Sequence, residues 1–239
     1  MQSTRRISLC MIVPSKGRPG NASRLLHAVN ETAGDELERL VFAIDDQEPL
    51  AAEYRAVIPR EEGWDWADVV QVEAKPQRVG PVLNALAAQC ADHCDYLGFM
   101  GDDHLPRSQF WDEKLVAALN GRPGVAYGND LIQSEKLPTA CVISAEIVHS
   151  LGYMCPPGQE HLYLDDFWKL LGEAVGNLVY CPDVVIEHLH PTVGKAEYDQ
   201  YYRVNNDVGQ YSRDEAAYQQ FLVSTWPSDL VRLKQDLGS

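Results

Sequence analysis

The sequence has 239 residues, of which 45% are hydrophobic, enough to bury a sizeable core in one α/β domain or two small ones. It carries 35 acidic and 20 basic side chains, a formal net charge of -15, and residues 1–80 hold only -3 of that charge (10 basic, 13 acidic). This balance argues against strong non-specific binding to nucleic acid or to an anionic membrane, although several basic residues cluster between Arg5 and Arg24.

The first apolar run, residues 7–13, is interrupted by Ser8 and ends at Pro14, which is too short for a signal peptide. No stretch approaches the roughly 20 apolar residues of a membrane span. The six cysteines are dispersed, which suits reduced thiols better than a disulfide framework. We therefore expect a cytoplasmic protein with no membrane partner. Cys90 and Cys94 of the segment CADHC would share one helix face, but no second ligand pair completes a structural zinc site.

Strand and helix patterns alternate through the first half of the chain. A buried strand over residues 7–13 precedes a turn rich in Ser, Gly and Pro, and a helix follows with Asn21 or Ser23 as its cap. Strands are predicted at LERLVFAIDD and ADVVQVEA, then a helix at PVLNALAAQCADH with Pro81 in its first turn, then a strand at DYLGFM. This order predicts an α/β fold with a mostly parallel central sheet and helices on both faces.

The second half continues with a helix over residues 107–119, a strand at GVAYGNDL, and strand and helix within TACVISAEIVHSLGY. A helix at LYLDDFWKLLGEAVG turns its apolar residues inward, and NLVYCPDVVIEHLHP predicts a late pair of strands. A capping box of Ser212 and Glu215 predicts the start of the C-terminal helix. Because no repeat or low-complexity linker interrupts the chain, we expect a single domain over 1–239.

Four polar segments follow predicted strands: PSKGRP, DDQEP, KPQRVG and GDDH. In open α/β sheets, ligands bind beyond the carboxyl ends of the strands, so these segments should converge on one pocket. The adjacent carboxylates of Asp102 and Asp103 repel one another unless a cation neutralises them, and oxygen ligands favour Mg²⁺ or Mn²⁺. The pattern thus predicts a pocket for a metal-bound, phosphorylated ligand; the alternative is that GDDH is a solvated turn.

The segments VPSKGRP, AIDDQEP, RVGPVLNALA and FMGDDHLPRSQFWDEKL together resemble the nucleotide-binding elements of GT-A fold glycosyltransferases, particularly the family 2-like group, whose small stand-alone members also occur in bacteriophages. The resemblance implies a metal-dependent glycosyltransferase that moves a sugar from a nucleoside diphosphate sugar to an acceptor hydroxyl, with Mn²⁺ or Mg²⁺ as cofactor. Residues 7–120 would bind the nucleotide sugar, 121–204 would form the acceptor and catalytic half, and 205–239 would be a helical tail that resembles nothing known to us.

The same resemblance implies roles for individual residues around the metal. The family's DxD motif holds the metal after the fourth strand, and its DADHxP form aligns with residues 101–106, so Gly101 stands where the first aspartate is expected. Asp103 would then be the principal metal ligand and Asp102 would contact the ribose or the sugar. His188 and His190 lie two residues apart on one face of a strand, and one of them would complete the metal site.

The remaining roles concern the nucleotide and the acceptor. Arg78 suits a diphosphate because its fixed fork of donors matches paired oxygens, although a surface salt bridge is the alternative. LYLDDFW resembles an acidic pair at the start of an acceptor-side helix, with Asp166 as general base and Asp165 as second choice; such acids also stabilise a helix N-terminus. The other residues expected to bind the nucleotide sugar are Pro14, Arg18, Asp45, Asp46, Asn84 and Lys195.

Two other functions compete with glycosyl transfer. A sugar-phosphate nucleotidyltransferase would carry a GxGTRxxP loop, which PSKGRPGNAS matches only faintly. A non-catalytic nucleotide-sugar-binding module would explain Gly101 as a degraded metal site, but His188, His190 and Asp166 argue against that. The sequence leaves the stereochemistry open, and the acceptor could be a protein, a glycan, a small molecule or a modified DNA base. The acidic second half makes duplex DNA the less favoured acceptor.

Overall fold

The computed structural model describes residues 7–59, 63–75, 78–205 and 207–238, except for the side chains of residues 201, 204 and 205. Arg5 and Arg6 of the basic cluster, and Pro76 and Gln77 of the segment KPQRVG, therefore lie outside the described residues. The strands are β1 (Leu9–Pro14), β2 (Leu37–Asp45), β3 (Ala67–Val72), β4 (Tyr96–Phe99), β5 (His104–Pro106), β6 (Val125–Asn129), β7 (Cys141–Ser144) and β8 (Leu178–His188).

Helices connect or flank these strands. They are α1 (Pro19–Thr32), α2 (Ala51–Val57), α3 (Val79–Ala91), α4 (Trp111–Ala118), α5 (Ala145–Leu151), α6 (Leu164–Ala174), α7 (Gln200–Asn205), α8 (Val208–Ser224) and α9 (Trp226–Leu237). Within the described parts of the chain, every helix is too short or too polar to cross a membrane.

The eight strands form one sheet in the order β3-β2-β1-β4-β7-β6-β8-β5. Four of the seven pairings among the described strands are parallel, and β7 runs antiparallel to both of its neighbours. The predicted mostly parallel sheet is thus confirmed, and its parallel half consists of the first four strands. Their carboxyl ends meet at one edge, where the segments after β1, β2 and β4 converge.

Two apolar cores cover the two faces of the sheet. The side chains of β1 alternate between them: Cys10 and Ile12 pack in one core, Leu9, Met11 and Val13 in the other. This is why β1 reads as an unbroken apolar run rather than as an alternating pattern. In α6, Leu164, Phe167, Trp168 and Leu171 are buried at helical spacing, as predicted. Helices therefore lie on both faces of the sheet, as the α/β pattern predicts.

Several predicted helix starts are wrong. Helix α1 begins at Pro19 with Arg18 as the preceding residue, so neither Asn21 nor Ser23 caps it. The helix predicted from residue 107 starts only at Trp111, and the predicted pair of late strands is the single strand β8. Helix α8 begins at Val208, where the Asp207 side chain accepts a hydrogen bond from the Gly209 N–H.

Ser212 and Glu215 therefore lie inside helix α8 rather than at its start. The capping interaction of α8 is instead made by Asp207, five residues before Ser212.

The cysteines are free thiols, as predicted. Cys10 Sγ lies 3.2 Å from Cys90 Sγ, and Cys94 is also buried in the same core. Among the described residues, the potential metal-binding cluster of three or more side chains lies elsewhere, and it contains no cysteine. The thiols therefore serve as small apolar core residues in this fold.

Candidate active site

The site begins where β4 ends and the chain turns back through residues 101–103 into the short strand β5. Strand β5 pairs antiparallel with β8, and the register sets His104 directly opposite His188. Their rings stack with centroids 4.1 Å apart and an interplanar angle of 19°. The Leu189 N–H donates to the carbonyl oxygen of Asp103 at 2.8 Å, which ties the turn to the end of β8. Two distant segments are thereby brought together.

Asp103, His104 and His188 each offer one potential ligand atom, and these atoms lie within 4.8 Å of one another. Asp103 Oδ1 lies 3.3 Å from His104 Nδ1, and Asp103 Oδ2 lies 3.6 Å from His188 Nε2. Burial works to raise the pKa of Asp103, but the two histidines outweigh it and hold that pKa well below its usual range. The carboxylate is therefore ionised and can bind a cation.

The ligand set fits a divalent ion with some affinity for nitrogen. It joins one carboxylate to two imidazoles, and burial lowers the pKa of His104, so that its ring is neutral as a ligand must be. The Gly101 N–H donates to His104 Nδ1 at 3.1 Å, while His104 Nε2 is buried and has no hydrogen-bond partner among the described residues. Nδ1, which accepts a hydrogen bond and is therefore the unprotonated ring nitrogen, is the one that lies beside the ionised carboxylate of Asp103, so it is the ring atom that can bind a cation.

The atoms around position 101 leave space for glycine but not for a larger residue. A Cβ atom at position 101 would lie 2.6 Å from Asp103 Oδ1 and 2.9 Å from His104 Nδ1. The chain thus has no room for a side chain where the DxD pattern expects its first aspartate. The departure from the pattern is a packing consequence of bringing His104 into the cluster.

Asp102 turns away from this cluster toward β1 and α1. It accepts hydrogen bonds from Ser15 Oγ at 2.5 Å, Asn21 Nδ2 at 3.3 Å and Arg18 Nη1 at 3.4 Å. The side chain is 6% exposed, and burial together with the neighbouring charge of Asp103 raises its pKa to about 6. Asp102 therefore fixes the loop after β1, including Arg18.

Arg18 is held from a second side by the segment before α7. Its Nε and Nη2 atoms donate to the two carboxylate oxygens of Asp199, each at 2.8 Å. Its guanidinium carbon lies 4.5 Å from the centroid of the Tyr202 ring, and the Tyr202 hydroxyl donates to Asp103 Oδ2. One short segment thus contacts both the arginine and the aspartate of the site.

A cavity of about 580 Å³ opens at this point. It is the size of a small-molecule site and combines apolar walls with convergent polar groups. Five of the residues predicted to be functional line it: Arg18, Asp103, Asp165, His188 and His190. The carboxyl-edge position and the charged lining make it the candidate active site.

Solved structures resemble the whole chain. TarS residues 1–349 from S. aureus align over 97% of this chain and 81% of that one, with a TM-score of 0.56 and 11% identity. A mannosyltransferase from Pyrobaculum calidifontis, solved with GDP-Man and Mn²⁺, aligns over 98% and 75% (TM-score 0.55, 14% identity). Glucosyl-3-phosphoglycerate synthase from Mycobacterium tuberculosis, solved with Mn²⁺, UDP and phosphoglyceric acid, aligns over 90% and 78% (TM-score 0.58, 12% identity).

The chain has the GT-A fold. A scan of protein-family models gives no match, and a search of curated proteins gives none either. The chain spans 45% of the longer TarS structure, so the GT-A part is what the two share.

Within this GT-A fold, most other residues predicted to bind the nucleotide are engaged in protein contacts. Asn84 donates to the Cys155 carbonyl and accepts from the N–H groups of Met154 and Cys155, so it anchors that loop. Arg78 Nε lies 3.6 Å from Glu160 Oε2, which corresponds to the salt-bridge alternative. Pro14, Asp45, Asp46 and Lys195 also lie outside the cavity lining.

These outer residues lie at the ends of β1 and β2 and in the segment after β8. Pro14 ends β1. Asp45 ends β2 and pairs with Lys16 at 3.0 Å, and the carbonyl oxygen of Asp46 accepts from Gln71 Nε2. Lys195 Nζ donates to Glu187 Oε1 at 2.7 Å. Their predicted roles in binding the nucleotide sugar stay predictions.

The two aspartates at the start of α6 differ in position. Asp165 lines the cavity and Asp166, the residue that the sequence favoured as the base, does not. Burial and the adjacent Asp166 raise the pKa of Asp165 to about 6, and burial also raises the pKa of Asp166. The preceding residue, Tyr163, has a left-handed backbone with φ of 64°, a strained conformation for tyrosine.

Sequence reasoning left several site residues without a role. His104 belongs to the segment GDDH, but its contact with His188 depends on the register between β5 and β8, which the sequence does not reveal. His161, Asp199 and Tyr202 carry no local motif. His190 sits beside the cluster with its ring centroid 5.1 Å from that of His188, while its Nδ1 contacts Thr192 Oγ1 at 2.8 Å.

Proposed function

We propose that the protein is a metal-dependent glycosyltransferase that moves a sugar from a nucleoside diphosphate sugar to an acceptor hydroxyl. The observation that carries the proposal is the cluster of Asp103, His104 and His188 in a GT-A cavity that Arg18 and Asp165 also line. An ionised carboxylate, an arginine and a carboxylate of raised pKa are the groups that a diphosphate donor and a hydroxyl acceptor require.

Asp103 and His188, with His104 beside them, would hold the divalent ion, and His190 is the further candidate ligand. Mn²⁺ or Mg²⁺ is the proposed cofactor, and the two imidazoles favour Mn²⁺ because Mg²⁺ prefers oxygen ligands. When bound, such an ion neutralises the charge that develops on a departing diphosphate. The crowding at Gly101 supports an intact site, since this glycine makes room for the ligands rather than marking a lost one.

The chain's own residues account for binding and proton transfer. The guanidinium of Arg18, positioned by Asp102 and Asp199, offers donors to the diphosphate. Asp165 accepts the proton of the acceptor hydroxyl while the hydroxyl oxygen bonds to the anomeric carbon of the sugar. The bond between that carbon and the diphosphate oxygen breaks in the same step. If one such displacement completes the reaction, the anomeric configuration inverts.

Thermal stability measurements test the proposal. The melting temperature is measured with UDP, GDP, CDP and dTDP sugars, with and without Mn²⁺, for the wild type, for Asp103→Ala and for the control Asp65→Ala, which removes an exposed carboxylate far in sequence from the cluster. One nucleotide sugar at 100 times its Kd should stabilise the wild type and the control by about 2.7 kcal/mol when Mn²⁺ is present.

Asp103→Ala should lose this effect. If a folded wild-type sample shows no rise with any nucleotide sugar, the proposed function is wrong.

A further inference from the structure

The loop between β6 and β7 forms one wall of the cavity, and Gln133 and Thr139 are among the residues that line it. The buried Asp130 side chain holds this loop in place. Its Oδ1 atom accepts the backbone N–H groups of residues 132–134 at 2.9, 2.7 and 2.8 Å, and its Oδ2 atom accepts from Thr139 Oγ1 at 2.9 Å. The loop is therefore a preorganised wall rather than a loose connection.

This wall is fixed relative to the proposed base and to the proposed metal ligands. Lys169 follows Asp165 by four residues, so both side chains lie on one face of α6. Lys169 Nζ donates to the carbonyl oxygen of Lys136 in the loop at 3.0 Å. At the start of the loop, the His188 N–H donates to the carbonyl oxygen of Asp130 at 3.1 Å. A ligand group bound by this wall would therefore lie at a defined position beside the catalytic groups.

Gln133 presents a side-chain amide on this wall. The residue lines the cavity and is partly exposed. Within the parts of the chain that the structure describes, its amide group makes no hydrogen bond, and neither amide atom is enclosed by protein. A primary amide carries two donor hydrogens and an acceptor oxygen, so it can bind two adjacent hydroxyl groups of a ligand.

Tyrosine rings line the cavity on the side of α8. Tyr163, directly before α6, stacks on Tyr218 of α8 with ring centroids 5.6 Å apart and an interplanar angle of 18°. Tyr211 lies seven residues before Tyr218, so the two share one face of α8. Tyr163 and Tyr211 both line the cavity, and Tyr211 is 45% exposed. Aromatic surface is thus available to a ligand whose reacting group lies at Asp165.

The charges of the lining indicate that this ligand is uncharged. Among the described residues that line the cavity, Arg18 is the one side chain with a permanent positive charge, and Asp102 and Asp199 hold it on the metal side. A phosphorylated acceptor would bring its negative charge toward the carboxylate of Asp165 with no cation of the lining to pair with it.

We infer that the acceptor is an uncharged saccharide. The Gln133 amide binds adjacent hydroxyl groups of this saccharide, while the rings of Tyr163 and Tyr211 pack against the C–H faces of its pyranose units. The inference rests on the proposed function, because it places the acceptor hydroxyl beside Asp165. A modified base in DNA could also stack on tyrosine, but its phosphates would meet the same acidic groups.

Transfer to small saccharides tests the inference. The donor is the nucleotide sugar that stabilises the wild type in the panel above, and release of the nucleoside diphosphate is measured with Mn²⁺. The neutral probes are the methyl α-pyranosides of glucose, galactose, mannose and N-acetylglucosamine. The anionic probes are the α-1-phosphates of the same sugars, which differ from them only at position 1, and a third probe is duplex DNA that contains 5-hydroxymethylcytosine.

At least one methyl pyranoside should raise the release rate about tenfold or more above the rate with water, because a bound hydroxyl is held at the base. The kcat/KM of the matching 1-phosphate should be at least about tenfold lower, owing to repulsion between like charges.

Substitutions in the two walls test the assigned contacts. Gln133→Ala and Tyr211→Ala should each raise the KM for the accepted saccharide about five- to tenfold, with the KM for the donor within about twofold of the wild type. Tyr211→Phe keeps the ring and should stay within about twofold for both substrates. Gln219→Ala removes an exposed glutamine of α8 outside the cavity lining, and this control should keep the wild-type constants.

The outcomes separate the inference from the proposed function. If the wild type binds no nucleotide sugar with Mn²⁺, the proposed function fails and the inference fails with it. If the wild type binds a nucleotide sugar but no methyl pyranoside accelerates its turnover, or a 1-phosphate or the DNA is the better acceptor, the inference alone is overturned. Unchanged saccharide KM values in Gln133→Ala and Tyr211→Ala also overturn it. Should one of these two variants not fold, the other decides.

Discussion

Asp165→Asn is the sharpest test of the catalytic assignment. The substitution keeps the size of the side chain and removes its ability to accept a proton. A positioned general base contributes about 10²- to 10⁴-fold to rate, so kcat/KM should fall by that range. Asp166→Asn provides the matched control, since Asp166 lies one residue away at the same helix start but outside the cavity lining. Its kcat/KM at pH 7 should stay within a few-fold of the wild type.

The pH dependence of kcat/KM is a second test of Asp165 as the base. The pKa of Asp165 is raised to about 6, so roughly nine-tenths of the carboxyls are ionised at pH 7 and about one-tenth at pH 5. A base acts only when deprotonated, so kcat/KM of the wild type should fall about tenfold between pH 7 and pH 5. Asp166→Asn removes a neighbouring negative charge, which should move this midpoint to lower pH.

The assay needs no identified acceptor. Release of nucleoside diphosphate from the donor with water as acceptor, with Mn²⁺ present, reports the same proton transfer. The reasoning is refuted if Asp166→Asn loses the activity while Asp165→Asn retains it. The base would then be the aspartate that does not line the cavity. A wild-type profile without a midpoint near pH 6 would refute the role of the raised pKa.

Three further substitutions test the packing around the site. Gly80→Ala should destabilise the fold by about 1–3 kcal/mol in urea unfolding, since its Cβ would lie 2.3 Å from a backbone oxygen of the loop opposite, whereas Gly20→Ala has open space and should be neutral or slightly stabilising. Gly101→Ala should displace the proposed metal ligands Asp103 and His104 and shrink the Mn²⁺-dependent rise in melting temperature at nearly unchanged ligand-free stability. Asp214→Ala leaves the backbone N–H groups of residues 160–162 without their acceptor and should lower the free energy of unfolding by about 3 kcal/mol, with Asp214→Asn lowering it less. Equal stability of both variants and the wild type in the same urea measurement would contradict this role of Asp214.

Local patterns predicted the parts of the fold that depend on burial. The apolar run of β1 and the helical spacing in α6 are confirmed because each element packs as its pattern requires. Asp103, in the turn after β4, was predicted to be a site residue, and the structure places it in the cluster with His104 and His188. Capping signals failed at Ser23 and Ser212, which lie inside helices; α1 starts earlier, at Pro19, and α8 starts at Val208 with Asp207 as its cap.

The sequence could assign a residue to the candidate site only where that residue lies at the end of a predicted strand. His104 meets His188 through an antiparallel register, and Tyr202 reaches Asp103 from a segment 99 residues away. Neither contact has a sequence signal, because both depend on how β8 and α7 return to the edge of the sheet. The sequence favoured Asp166 over Asp165 as the base, and it carries no signal for the direction of helix α6 relative to the cavity, which Asp165 lines.

The Asp214 carboxylate on α8 accepts hydrogen bonds from the backbone N–H groups of residues 160–162, and this support affects the order in which the molecule is completed. These three residues leave the ribosome 52 to 54 residues before the carboxylate that fixes them. At ordinary rates of synthesis this interval lasts about 3 to 10 seconds. Asp103, His104 and His188 are all synthesised before Asp214, so a nascent chain can bring the three proposed metal ligands together while residues 160–162 still lack this acceptor. A chain that ended after α7 would stay in that half-finished condition, and the C-terminal helices are therefore the closing step of building the site.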